Sequence, residues 1–566
     1  MSEFARIKSI KGREWAFGRE GVPDGDPAVG IAEMRGFDAE TFLNASVKDT
    51  MPDPSRLKDM DRAVSAFCDA VEAGKKIAIY GDYDVDGATS TALGIRWLQF
   101  VGIEPLYYIP DRMKEGYGPN SEAMRTLKRE GTEFLLVLDS GTTAHEPLGV
   151  ASELGFQIVI LDHHEPDSKS PPGILVNPKR KDEDRAYDYL CTAGLIFLFL
   201  VGVNREMRSR GFFNASRPAP NLMNWIGIVA LGTVADLVPL VGLNRAYVRA
   251  GLRRMKDVTG IAQLAKVNDH FDYDEVSCGF IFGPCINAAG RIDDTRLGAR
   301  LLSLENHDDA FDLAARLFEL NAQRKDMQKK ALDQAMKEAE ERSDDRILVL
   351  MNEEWHPGVV GLVASKMKDA VDKSTIIIGH GGHGSCRGLD GFNIGAAVIA
   401  AREAGILIKG GGHAPAAGLT IDASRLDDLR DFMNERAKTF AHPPVTYDLK
   451  LAPGELKAAL IDKLEPLRPY GMGNKKPRIA VVGGWVKRVI VRKEKHINIV
   501  VNGPIGDTEA MIWNAIGTPL GDALAGSEDF YVDLAGDAKI DTYGYRRAVL
   551  IVDDAVVHGA IEGEAA

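Results

Sequence analysis

Four short apolar runs, each ending against glycine, proline or aspartate, constrain the fold of this chain more than any other feature. They are Lys76–Tyr80 (KIAIY), Glu104–Pro110 (EPLYYIP), Phe134–Asp139 (FLLVLD) and Gln157–Asp162 (QIVILD). Helical stretches of roughly ten to fifteen residues stand between such runs, the signature of βαβ units and a parallel sheet. An antiparallel domain needs short turns between its strands, and none are present. The expected class is therefore α/β.

Further along, Thr192–Val203 (TAGLIFLFLVGV) is too short to cross a bilayer and reads as a buried helix, as does Trp225–Ala235. Asn306 to Asp344 is long, charged and helical; it does not sustain apolar a/d heptads, so it reads as a connecting helix rather than a coiled coil. The run after Arg346 (RILVLM) opens a second unit, rich in glycine through Gly418, and His442–Pro444 resembles a linker. Strand-like segments come next at Ile479–Val482, Val486–Val491, Ile497–Val501 and Tyr531–Ala535, separated by glycine turns. They suggest a small β-barrel of the OB type. The first 50 residues lack periodicity and are expected to pack as an extension on the first α/β unit.

The 566 residues allow about four domains. A net charge of −13 excludes a uniformly nucleic-acid-coating surface but not a local basic channel. Five cysteines without a C-x-x-C pair point to reduced thiols, and the opening MSEFARIKSIKGREW has no apolar core, so a cytoplasmic location is expected.

Chemistry concentrates where the strands of the first unit end. Asp82, Asp84 and Asp86 follow the first strand, Asp139 the third, and Asp162-His163-His164 the fourth; Asp236 closes a buried helix. Ligands of open parallel sheets bind at that edge. The D-x-D-x-D-G string is not a calcium loop, because the twelfth position from Asp82 is Leu93. Carboxylates gathered this closely need cations. Oxygen-rich sites with one or two imidazoles suit Mn²⁺ or Mg²⁺, and two ions sharing a carboxylate, with Asp139 the candidate bridge, suit phosphoester hydrolysis.

Asp84-x-Asp86, Asp139, Asp162-His163-His164 and Asp236 resemble, in order, the motifs of the DHH phosphoesterase superfamily. Further segments resemble its exonuclease family specific for single-stranded DNA: Ile109-Pro110-Asp111-Arg112 with Gly116-Tyr117-Gly118, Gly283 to Arg291 (GPCINAAGR), Glu354 to Gly358 (EWHPG), Gly410 to Gly418, and Pro469 to Asn474 with His496. The likeness covers residues 50 to 560. Two departures stand out: Tyr80 replaces the superfamily's common histidine, with Asp82 as an extra carboxylate, and Gly388 stands where serine is more usual after Gly384-Ser385-Cys386-Arg387.

The resemblance implies an N-terminal extension (1–50), a parallel-sheet DHH domain (51–305), a connecting helix (306–345), an α/β DHH-associated domain (346–440) and a C-terminal OB-fold barrel (441–566). It implies a 5′→3′ exonuclease that releases 5′-mononucleotides in DNA recombination and repair. Asp82, Asp84, Asp86, Asp139, His163 and Asp236 would hold two Mn²⁺ or Mg²⁺ ions. His164, with Asp139 and Asp84, would act at the scissile phosphate. Asn287, Arg291, Ser385, Arg387 and His413 would form a phosphate pocket, although a tight structural loop also explains Ser385 and Arg387. Arg112 and Tyr117 would contact phosphate and base, and Lys475, Lys476 and Arg492 would line a single-strand track; a packed tyrosine and a solvated charged face are the plainer alternatives. Implied partners are single-stranded DNA, single-strand-binding protein and a RecQ-type helicase, with no membrane and a monomeric state. Competing functions are a phosphodiesterase of short oligonucleotides or cyclic dinucleotides, and a non-catalytic single-strand-binding scaffold.

Overall fold

A computed structural model describes residues 8–18, 21, 25–111, 114–525, 530–542 and 545–558. The chain divides into two compact units, one of residues 45–440 with 471–473, the other of residues 1–44, 441–470 and 474–566.

In the first unit, β1 (Ile77–Tyr80), β2 (Leu106–Tyr108), β3 (Phe134–Leu138), β4 (Gln157–Leu161) and β5 (Ile174–Val176) form an all-parallel sheet of order β2-β1-β3-β4-β5. Helices cover both faces, which is why the central strands are apolar throughout. Side chains alternate: Ile77 and Ile79 enter a core with Phe67, Trp97, Phe134 and Phe199, while Ala78 and Tyr80 enter a second with Met124, Leu135 and Val137. Tyr80 is fully buried, and its hydroxyl donates to the Gly118 carbonyl at 2.9 Å. From β1 the chain steps to β2 on one side and then to β3 on the other. The crevice at the carboxyl ends of β1 and β3 is thus a topological switch point, where such sheets bind ligands.

Five helices matter for the site: α1 (Val85–Phe100), α2 (Thr192–Ser209), α3 (Ile226–Ala235), α4 (Gly283–Ile292) and α5 (His307–Glu340). No described helix is long and apolar enough to cross a membrane. Helix α5, capped by the Asn306 side chain, buries Leu317 and Leu320 in the first core and Ala331 and Ala335 in that of a second sheet. That sheet comprises β6 (Ile347–Met351), β7 (Ser374–Ile378), β8 (His383–Arg387), β9 (Lys409–His413) and β10 (Ala416–Thr420), in the order β9-β10-β8-β7-β6. Only β6 and β7 run parallel. Helix α6 (Pro357–Val371) comes after β6.

The second unit holds a closed five-stranded barrel of Arg478–Arg492, His496–Gly503, Gly506–Ile512, Arg547–His558 and Tyr531–Asp541. Two expected strands prove to be one. Gly483 and Gly484, read as a turn, sit at register shifts within Arg478–Arg492, where the strand bends. Its first half then pairs with Tyr531–Asp541 and its second with His496–Gly503, closing the barrel. The N-terminal segment also departs from expectation, because its packing partner is the far end of the chain. Trp15–Phe17 pairs in parallel with Val445–Tyr447, and Ala28, Ile31, Phe42 and Leu43 share a core with barrel residues. All five cysteines are free and buried.

Candidate active site

The switch point gathers the acids that the sequence places at strand ends. Asp84 caps α1, accepting from Gly87 N at 3.0 Å. Only glycine fits at 87, because a Cβ there would lie 2.4 Å from the Asp82 carbonyl. Asp86, buried in the first turn of α1, is held by the N-terminus of α2: Thr192 N and Ala193 N donate to its two oxygens at 2.7 and 2.8 Å. The Thr192 hydroxyl donates to Asp139 Oδ1 at 3.0 Å. Asp139 itself adopts φ +61°, left-handed backbone that turns the chain sharply at the end of β3. Asp236 caps the C-terminus of α3, where the helix dipole repels a carboxylate.

His163 Nε2 is the centre of this arrangement, 3.4 Å from Asp139, 3.6 Å from Asp236 and 3.9 Å from Asp86. Three overlapping sets of ligand atoms result, each within 4.8 Å: Asp86–His163–Asp236, Asp139–His163–His164 and Asp82–Asp84–Asp139. Asp139 is common to two of them. Behind the site, Asp162 accepts from Thr142 N, His163 N and His164 N at 2.9, 2.8 and 3.2 Å, and pairs with His164 Nδ1 at 2.7 Å. Asn177 braces the same loop by donating to Thr142 Oγ1 and the His164 carbonyl.

The electrostatics fit cation binding. Burial and then the Asp84 charge push Asp86 up to about 6; burial and then Asp86 push Asp236 up to about 9, and Asp139 is also well above the usual carboxylate range. Burial and then His164 push His163 down to about 3, so it is the neutral imidazole that a metal requires. Burial opposes protonation of His164, but its bond to Asp162 and the nearby acids outweigh that and raise its pKa. Asp84, Asp86, Asp139 and Asp236 form no ion pair with lysine or arginine among the described residues. Buried, crowded and uncompensated carboxylates around a neutral imidazole match one or two hard divalent ions.

A cleft of about 480 Å³ lies between α6 and the second sheet, and Arg291, Ser385 and Arg387 all line it. Arg291 donates to the Gly358 carbonyl at 2.8 Å, and Arg387 to Ser385 Oγ at 3.0 Å. Asn287, half-buried on α4, and His413, exposed at the end of β9, are not among its lining residues.

Family models match in chain order: the DHH family N-terminal domain over residues 76–233, the DHHA1 domain over 322–439 and the RecJ OB domain over 447–554. The single-stranded-DNA-specific exonuclease RecJ of Bacillus subtilis is 32% identical over 92% of this chain and 67% of its own. That of Salmonella typhimurium is 30% identical over 92% of this chain and 94% of its own. The chain belongs to the RecJ family. A crystal structure of Thermus thermophilus RecJ in complex with Mn²⁺ superposes with a TM-score of 0.80 at 28% identity, covering 96% of this chain and 77% of that one.

Within this RecJ chain the remaining expected residues divide. Tyr117 is exposed, yet its hydroxyl lies 3.1 Å from the His164 ring nitrogens, so it is tied to the metal cluster as well as available to a base. Arg112 lies outside the described residues. In the barrel unit, Lys475, Lys476 and Arg492 are exposed. Arg478 and Lys487 of the same basic stretch are consumed by Asp553 and Asp507, whereas Lys475, Lys476, Arg488, Arg492, Lys493 and Lys495 have no ion pair among the described residues. The sequence reading missed Trp513, exposed beside the His496 ring at 4.7 Å with Lys539 5.5 Å from its centroid. It also missed Thr192, Thr142 and Asn177, whose partners are distant in sequence and which belong to no motif.

Proposed function

We propose that this chain hydrolyses single-stranded DNA from its 5′ end, releasing 5′-mononucleotides, with two Mn²⁺ or Mg²⁺ ions held by Asp82, Asp84, Asp86, Asp139, His163 and Asp236. The observation that carries the metal assignment is the position of Asp139, common to two ligand sets and fixed by the Thr192 hydroxyl. Bound there, divalent ions supply charge neutralisation of the phosphate and activation of water. The chain's own groups do the rest. His164, held by Asp162 with its pKa raised, orients the scissile phosphate and stabilises charge developing on it. Arg291, Ser385 and Arg387 receive a substrate phosphate in their cleft, a guanidinium fork and a hydroxyl being suited to it. The unpaired cations of the barrel track the single strand, with affinity that falls as salt rises.

We extend the reading to the five-part division of the chain into extension, DHH domain, connecting helix, DHH-associated domain and barrel. It extends also to a monomeric, cytoplasmic enzyme, with single-strand-binding protein and a RecQ-type helicase as partners; five reduced cysteines support the location. The intact metal cluster argues against a non-catalytic scaffold, and a RecJ OB domain matched through residue 554 argues against a short-oligonucleotide phosphodiesterase.

The test is single-stranded DNA with internal label, blocked at either end, incubated with Mn²⁺ or a chelator. Metal-dependent release of mononucleotides, stopped by the 5′ block alone, is the expected outcome. Degradation stopped by the 3′ block, or loss only of di- to pentanucleotides, overturns it.

A further inference from the structure

The cleft that takes a substrate phosphate has a lining residue that no motif identifies. Strand β8 presents alternate side chains to one face, so His383, Ser385 and Arg387 point the same way, about 6.7 Å apart along the strand. Cys386, between them, is fully buried in the opposite core. His383 lines the same cleft as Arg291, Ser385 and Arg387. The neighbouring strand leaves the space open, because Thr420, Gly418 and Ala416 stand opposite His383, Ser385 and Arg387.

Two local features set the imidazole. Gly381 and Gly382, at φ +68° and +72°, turn the chain immediately before it, and a Cβ at 382 would lie 2.0 Å from the Ile421 carbonyl oxygen. Thr420 Oγ1 lies 3.5 Å from His383 Nδ1. With the hydroxyl donating to Nδ1, the neutral ring carries its proton on Nε2, which has no protein partner among the described residues. The exposed side chain therefore offers one N–H donor at the end of a row that already holds a hydroxyl and a guanidinium.

We propose that His383 is a specificity-determining residue for the DNA end: its Nε2–H donates to an oxygen of the 5′-terminal phosphate, beside Ser385 and Arg387. This rests on the exonuclease reading and names the chemical group it recognises, a terminal phosphate monoester rather than a free hydroxyl. A monoester carries more charge than an internal diester and has more oxygens to accept from a row of donors, so a third donor favours it selectively.

The experiment compares wild type, His383→Ala and His383→Gln on otherwise identical oligonucleotides ending in 5′-phosphate or 5′-hydroxyl. Steady-state kcat and KM are measured with Mn²⁺. Binding is measured by fluorescence anisotropy on an Asp139→Ala background, where cleavage does not interfere. For His383→Ala the expected result is an increase of about tenfold in KM and Kd on the 5′-phosphate substrate. kcat stays within about twofold, and the 5′-hydroxyl substrate is unaffected. Gln, which retains an N–H donor, recovers part of the loss. Equal losses on both ends, no loss on either, or a wild type that does not distinguish the ends would overturn the proposal. A wild type that binds 5′-phosphate ends preferentially yet releases no nucleotide would overturn the exonuclease reading instead, leaving the His383 contact standing on the binding data.

Discussion

The acid edge of the first sheet and the cleft beside the second carry opposite charge and are built in opposite ways. At the first, carboxylates are buried, crowded and compensated by no lysine or arginine among the described residues, so the fold holds a repulsion that only cations relieve. At the second, the guanidiniums of Arg291 and Arg387 are half-exposed and are positioned by neutral groups, the Gly358 carbonyl and the Ser385 hydroxyl. The acid edge needs long-range tertiary support, supplied by the N-terminus of α2 and by the Asp162 loop. The cleft needs chiefly small residues that let backbone and helix come close. A substitution at the first should therefore act on metal and chemistry, and one at the second on substrate capture.

The largest expected effect tests that division directly. Asp139→Ala removes the carboxylate common to two ligand sets and should lower kcat by at least about a thousandfold while leaving the Kd for single-stranded DNA within about threefold. Turnover near the wild-type value would remove Asp139 from the metal assignment. Arg387→Ala should show the reverse pattern: an increase of about 10- to 100-fold in KM, the cost of losing a charge-assisted hydrogen bond, with a smaller change in kcat. An Mn²⁺ titration followed by thermal shift should separate them again, unchanged in Arg387→Ala and weakened in Asp139→Ala.

The support around the acids gives a subtler contrast. Thr192→Val removes the hydroxyl that fixes Asp139 while keeping the side chain's shape, and should weaken Mn²⁺ affinity about tenfold, with Thr192→Ser restoring it. An unchanged titration would mean that the helix N-terminus alone orders the site. Metal-free protein should also reveal the stored repulsion through pH. Asp86 and Asp236 titrate at about 6 and about 9 when folded, against about 3.9 when unfolded. A raised folded pKa gives stability that is complete below the unfolded value and lost as pH rises through the folded one. The melting temperature of metal-free protein should fall between about pH 4 and pH 9, and Mn²⁺ should flatten that slope.

How legible each region was in the sequence comes from the same physics. The acid edge announces itself because strand ends at a parallel sheet's carboxyl edge are fixed by hydrophobic period alone, and Asp82 to Asp86, Asp139 and Asp162 to His164 fall at them. What fixes those acids does not announce itself: Thr192 sits 53 residues from Asp139 and looks like the start of an apolar helix. The barrel shows the same limit. Gly483-Gly484 reads locally as a turn, and only pairing with two different strands makes it a bend. Residues 1–44 were misplaced for a related reason, since the partner of Trp15–Phe17 lies some four hundred residues away, at Val445–Tyr447. In the cleft, Ser385 and Arg387 were found through a motif, whereas His383 becomes visible only once the strand's alternation is known.

The smallest expected effect probes the cleft's dependence on close approach. Helix α6 passes over β8 at Gly361, where a Cβ would lie 3.0 Å from Ser385 Oγ and 3.3 Å from Arg387 Nη2. Both are side-chain ends that can shift by a few tenths of an ångström, and the helix backbone need not move. Gly361→Ala should therefore leave the fold intact or slightly stabilised, because alanine gains about 0.5–1 kcal/mol of helix propensity over glycine. Displacing the two donors should still raise KM about two- to fivefold, roughly the loss of part of one charged hydrogen bond, with kcat and Mn²⁺ affinity unchanged. If KM stays constant while the melting temperature rises, the donors tolerate displacement and the cleft is softer than the acid edge. A fall in Mn²⁺ affinity would instead couple the two regions and end the separation between them.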